Sequence, residues 1–227
     1  MTLVVGADGA GAGWVSVCLE MGRVHSAKYF ATTSELLAGT GSAMVVAIDL
    51  PIGLASRKRD ADLQAAELLG PRRSSLFPMP PRELASLEYA EARARSQGRF
   101  GARFSRQTWA IVAKVVEAAD PIRRADPFGA RIIEVHPELS FIAMAQGQPM
   151  RYSKRTWNGF QERLALLGSH GLSVADHLGD LGPASPDDVL DAFVAAWTAD
   201  RFSRNEAVSV PELPTQTDGD RLIRIWR

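Results

Sequence analysis

The chain has a single cysteine, Cys18, among 227 residues. One thiol excludes an intrachain disulfide and a cysteine-built zinc site. Its setting, Trp14-Val15-Ser16-Val17-Cys18-Leu19, reads as a strand and favours a buried thiol over a nucleophile. Net charge is also missing: Lys+Arg and Asp+Glu stand at 26 each, so no global basic field announces nucleic acid. No run is long and apolar enough to span a bilayer, which predicts no membrane partner. The opening residues lack a basic stretch followed by a long apolar one, so no secretory leader is read there. A reducing cytoplasm is the expected location. No internal repeat and no low-complexity tract are found.

What remains is an ordinary globular composition, 46% apolar and 23% charged. The length suffices for one good core, so residues 1–227 are expected to form a single domain. Charge is uneven along it. Residues 51–128 hold 14 Lys/Arg and 9 Asp/Glu, a net of +5 that leaves −5 for the rest. The split could steer an anionic ligand to the middle segment. A solvated, arginine-rich helical surface explains it equally well.

Residues 3–7 read as a buried strand, followed by a glycine-rich turn, a second strand over 14–20 and a third over 24–31. This is an antiparallel meander. Thr32 or Ser34 caps a short helix through Leu37, Gly39 and Gly41 end it, and 43–48 form an apolar strand. The intervening helix predicts that this fourth strand runs parallel to the first. Residues 51–128 then interrupt the alternation. Residues 61–69 look helical, 72–82 form a proline-rich loop, and 84–95 and 108–119 look helical, joined by a Gly/Arg/Phe linker. This segment is expected as a helical insertion over the sheet edge. Residues 130–136 read as a strand broken by Pro137, and 154–167 as a helix. Ser185-Pro186-Asp187-Asp188 starts a helix running to about Arg201, and 221–226 suit a short edge strand.

Two strand-like runs each end in an aspartate: Val4-Val5-Gly6-Ala7-Asp8 and Val45-Val46-Ala47-Ile48-Asp49. Parallel strands bring their carboxyl ends to one edge of a sheet, where open α/β sheets build sites. Glu134 joins them from the later strand, and Asp191 from the late helix. Carboxylates gathered at such an edge repel one another, and a hard divalent cation is the usual relief. Each acid has a plainer explanation. Asp8 before Gly9 suits a turn, Asp49 before Leu50-Pro51 suits a cap, and Glu134 alternates with Ile133 and Val135 as a water-facing residue would. Asp187 and Asp188 fit the helix dipole. Asp191 lies beyond the first turn, where that account weakens. The face continuing from it, Ala195 and Thr198, is small enough to approach a sheet closely. His136 and Glu138 are weaker candidates, and His25, His170 and His177 lack ligand spacing.

The glycines at 6, 9, 11 and 13 are not Gly-x-Gly-x-x-Gly, and they lead into a strand rather than a helix, so a dinucleotide loop is not read. A glycine-rich hairpin after a strand aspartate does resemble the first phosphate loop of actin-like and sugar-kinase ATPases. An ATP-binding phosphotransferase is therefore a competing reading, although Pro51 rules out a second such hairpin after Asp49. A non-catalytic nucleic-acid-binding module using the basic segment is a third.

The ordered set Gly6-Ala7-Asp8-Gly9 with Gly13-Trp14, Ala47-Ile48-Asp49-Leu50-Pro51-Ile52-Gly53, Arg72-Arg73-Ser74-Ser75-Leu76-Phe77-Pro78, Ser105-Arg106-Gln107, Glu134-Val135-His136-Pro137-Glu138 and Leu190-Asp191-Ala192 resembles the domain of unknown function 429 family of bacteria and archaea. That family is described as predicted nucleases with an RNase H-like fold. The resemblance covers nearly the whole chain. It implies a mixed five-stranded α/β sheet, three antiparallel strands followed by two parallel ones, flanked by helices, with a helical insertion after strand four. It further implies Asp8, Asp49 and Asp191, with Glu134 as a fourth, as catalytic acids holding Mg²⁺ or Mn²⁺. Two ions about 3.5–4 Å apart would serve an in-line phosphodiester displacement. Arg72, Arg73, Ser74, Ser75 and Lys114 would bind the nucleic acid or nucleotide substrate. Ser105, Gln107 and Trp109 would pack the insertion helix over the site.

Overall fold

The computed structural model of the protein describes residues 2–100, 104–127, 129, 131–174 and 178–227. Parts of the expected Gly/Arg/Phe linker (101–103), Phe128 and Ala130 at the expected segment and strand boundaries, and His177 lie outside the described residues.

Three strands, β1 (Leu3–Ala10), β2 (Gly13–Glu20) and β3 (Arg23–Phe30), form the meander. Met21 and Gly22 join the last two with φ of 50° and 75°, a two-residue turn whose twist suits a hairpin. Helix α1 (Thr33–Gly39) begins at Thr32, whose hydroxyl accepts from the Glu35 amide, and crosses to β4 (Val45–Ile48). That strand lies parallel to β1, as the crossover predicts. After α2 (Asp60–Leu69), α3 (Tyr89–Phe100) and α4 (Arg106–Ala125), the short β5 (Ile132–Glu134) adds parallel to β4. The five-stranded mixed sheet has the order β3-β2-β1-β4-β5.

Strand alternation sorts the sheet's side chains onto two faces. Val5, Ala7, Trp14, Val46, Ile48 and Ile132 share one apolar cluster with α1 and α4 residues such as Leu36, Val112, Val115, Ala118 and Ile122. Val4, Val15, Val17, Val45, Ala47 and Ile133 share the other, beneath α7 (Pro186–Ser203), after α5 (Pro137–Met144) and α6 (Trp157–Ser169). Helix α7 rests directly on β1. A Cβ at Gly6 would lie 2.0 Å from the Ala196 amide nitrogen and 2.3 Å from the Ala192 carbonyl oxygen. Beyond it, β6 (Ser209–Val210) pairs with β9 (Ile225–Trp226), and β7 (Thr217–Asp218) with β8 (Arg221–Leu222). Trp226 also bridges Val135, so the tail does border β5.

Several elements depart from expectation. The chain expected as loop over 72–82 enters through a 3₁₀ turn, Gly70–Ser75, which accommodates Pro71 in its first turn. The helix expected at 84–95 begins only at Tyr89, because the prolines through Pro81 lead into a second short 3₁₀ turn, Arg82–Leu84. Helix α4 continues through Pro121. Its buried stripe runs on to Ile122, and that burial offsets part of the proline's cost of about 3 kcal/mol. Helix α5 was not anticipated at all. Pro137, read as a strand breaker, is a first-turn proline, and the helix is buried on nearly every side, so it has no period to show. Helix α6 starts at Trp157 instead of 154, since the Thr156 hydroxyl caps it by accepting from the Gly159 amide. Among the described residues, no helix is long and apolar enough to cross a membrane.

Candidate functional site: an acidic cleft at the sheet edge

A cleft of about 720 Å³ opens where the carboxyl ends of β1, β4 and β5 meet the first turn of α7. Asp8 and Asp49 lie side by side on its floor, for the Asp49 amide donates to the Ala7 carbonyl at 2.9 Å. Gly6 faces α7, and residues two positions apart on a strand share a face, so Asp8 faces α7 too. There Asp191 meets it. The three carboxylates gather only because Gly6, Ala192 and Ala196 bring helix and strand backbones into contact.

The electrostatic result is severe. Asp8 and Asp191 are 7% and 1% exposed. Burial, then the charges of Asp49 and Asp191, raise the Asp8 carboxyl well above its ordinary range. Burial chiefly pushes Asp191 up to about 7, against the pull of Lys154. Lys154 is the local counter-charge: its ammonium donates to Asp191 Oδ2 and stands 3.7 Å from Asp187 Oδ2. Burial works to lower its pKa, but Asp191, Asp8 and Asp49 raise it above the ordinary lysine value. Asp191 Oδ1 remains buried without a partner among the described residues.

Glu134 does not join this group. It is in phase with Ile132 on the opposite face, where Oε2 accepts from Arg59 at 2.5 Å and from the Ile52 amide at 2.6 Å. Burial pushes its carboxyl up to about 7 against Arg59. It lines the cleft, and its bond to the Ile52 amide pins the chain that follows Asp49. Asp218 clamps the same stretch from the far side. It accepts from the Leu54 amide at 2.8 Å and pairs with Arg82 at 2.6 Å. Between them Gly53 takes φ +92°, with space for no Cβ beside Asp218.

The expected substrate contacts divide. Lys114 reaches the cleft from α4, donates to the Gly13 carbonyl at 2.8 Å and lies 3.8 Å from the Trp14 ring centroid. Burial lowers its ammonium below the usual lysine value, with Asp8 and Glu117 opposing. Arg72, Ser74 and Ser75 line the cleft. Arg72 spends its donors on the Met150 and Arg151 carbonyls, at 3.1 and 2.6 Å. Arg73 is exposed and stands outside the lining. Gln107 borders the cleft, whereas Trp109 stacks on Phe104 with 5.1 Å between centroids.

Several cleft residues were not foreseen. Lys154 and Arg155 come from the loop before α6. The Thr156 cap signal would have left both outside the helix. Arg163, on a stripe with Phe160, Leu164 and Leu167, is 1% exposed and donates to Glu138 Oε1 at 2.6 Å. Glu138 Oε2 and His136 Nδ1 are buried without partners among the described residues.

Among the described residues no three of His, Cys, Asp and Glu stand arranged as metal ligands. The donor chemistry nevertheless suits a hard cation: neighbouring carboxylates that raise one another's affinity for a proton, and one unpartnered buried oxygen. Asp8, Asp49 and Asp191 are the residues that would hold it.

Fold and cleft define an α/β protein built on a mixed sheet, with an acidic site at the carboxyl edge. Over residues 6–216 the chain matches the family described as "Protein of unknown function (DUF429)", and it belongs to that family. Neither a curated protein nor a solved structure matches it.

Proposed function

We propose that this is a divalent-metal-dependent phosphodiester hydrolase, nuclease-like and RNase H-like in fold, acting on nucleic acid or nucleotides in the cytoplasm. The observation that carries the reading is the meeting of Asp8, Asp49 and Asp191 from three separate elements, with charge repulsion that Lys154 alone does not relieve. Mg²⁺ or Mn²⁺, held by these three, would polarise the phosphate and render a water more acidic. Lys154 would leave Asp191 for a phosphate oxygen. Lys114 would add a second positive charge from the opposite wall. Arg72, Ser74 and Ser75 border the path a phosphate would take, with segment 51–128 as a helical insertion restricting access. Glu134 would act here through the backbone behind Asp49, and Arg73, exposed outside the lining, is given no contact in this reading.

Incubation of labelled RNA, DNA and hybrid with Mn²⁺ tests this. Asp49→Asn should lower cleavage by about 10²-fold or more, the scale on which single reacting groups act. Undiminished cleavage by that variant would place any activity elsewhere. A second reading has one point in its favour: Gly9 and Gly11 do border the cleft, as a phosphate loop would. Calorimetry with Mg-ATP separates an ATP phosphotransferase from the hydrolase.

A further inference from the structure

The loop over 150–157, Met150-Arg151-Tyr152-Ser153-Lys154-Arg155-Thr156-Trp157, carries three charged residues, all basic. Its inner side belongs to the cleft through Ser153, Lys154 and Arg155. Its outer side displays aromatic rings. Trp157 is 73% exposed and Tyr152 41%, and Trp157 stacks on Phe160 with 6.2 Å between centroids. Arg151 lies 5.6 Å from the Tyr152 ring centroid.

The backbone beneath these rings is held firmly. Arg72 donates to the Met150 and Arg151 carbonyls, Glu162 accepts from the Arg151 and Tyr152 amides, and Arg163 donates to the Tyr152 carbonyl. Glu162, one of the nearby acids, is thereby committed to backbone amides, while Asp187 lies on the cleft side beside Lys154 and in the field of Arg155. An indole left in water costs burial that the core could have taken, and here it sits on a fixed frame among cations. Three residues of chain separate Lys154 from Trp157 by no more than about 11 Å. A strand with one phosphate at the acids would therefore lay a nearby base at the ring.

We propose that this loop is a stacking platform for single-stranded nucleic acid, with Trp157 taking a base and Arg151 and Arg155 the adjoining phosphates. It rests on the hydrolase reading for what the cleft does, and it narrows that reading to unpaired strands. A duplex hides its base faces, whereas aromatic rings beside cations are how single strands are held without sequence preference.

Fluorescence anisotropy with labelled single-stranded and duplex oligonucleotides in EDTA tests it without turnover. Wild type should prefer the single strand, with affinity falling steeply as salt rises. Trp157→Ala should weaken binding about tenfold, the order contributed by one stacked base, while Trp157→Phe keeps most of it. Arg155→Ala should lower the salt slope by about one. Circular dichroism confirms that each variant is folded. Equal binding by Trp157→Ala, equal affinity for duplex, or equal competition by polyglutamate would overturn the platform, the last by pointing to an acidic protein surface. Hydrolysis of bis(4-nitrophenyl) phosphate with Mn²⁺ by wild type is read separately. Its failure counts against the hydrolase and leaves the binding result to decide the platform.

Discussion

Glu134 and Asp49 leave adjoining parallel strands one residue apart in phase, and so they face opposite sides of the sheet. An acid closing an apolar run was visible in both cases. The register that separates them was not, since a one-residue step in pairing reverses every side chain and nothing local to Ile132–Glu134 fixes that step. That Asp8, Asp49 and Asp191 come near one another was legible from the apolar runs that the first two close and from the small face, Ala195 and Thr198, that continues from the third. Lys154 was not, because only the cap at Thr156 separates a loop lysine from a helical one. Glu134 also makes a pH prediction. With its carboxyl up from the ordinary 4.5 to about 7, the folded chain keeps a proton that the unfolded chain has released. Stability from this group is therefore greatest below about 4.5 and declines as pH rises to about 7. Glu134→Gln removes that decline. Its unfolding free energy relative to wild type should climb across this window and level off above it, as read by urea denaturation at several pH values.

Helix α7 and strand β1 touch backbone to backbone at Gly6, and this contact sets how closely Asp191 approaches Asp8. Gly6→Ala places a methyl where Ala192 and Ala196 already are. Overpacking of this kind costs about 1–3 kcal/mol and more where backbone must move, so a loss of at least about 3 kcal/mol is expected from chemical denaturation. The capping box at Ser185 and the small residues on its helix made α7 readable, as alternation and glycine turns did the meander. What hid α5 was uniform burial, and what displaced α3 was a run of prolines whose turns are decided by distant packing. Local pattern reports on elements with one wet and one dry face. For a helix it falls silent where both are dry, as in α5.

The whole chain should respond to a divalent ion as a folding ligand. Ligand bound only by the native state stabilises by about 2.7 kcal/mol at a hundred times its dissociation constant. Mn²⁺ should therefore raise the midpoint of thermal unfolding in wild type and in Glu134→Gln. Asp8→Asn should lose most of that gain and, in EDTA, melt above wild type, because a repelled buried carboxyl is gone. An equal gain in Asp8→Asn would mean that the ion binds elsewhere. The clamp behind Asp49 comes from far along the chain. Asp218 grips Leu54 across 164 positions, from a hairpin that contributes no acid to the floor. Removing residues 216–227 would spare every carboxylate of the triad yet slacken the ribbon on which one of them rides, so the hairpin over 217–222 acts as a buckle for the chain behind Asp49.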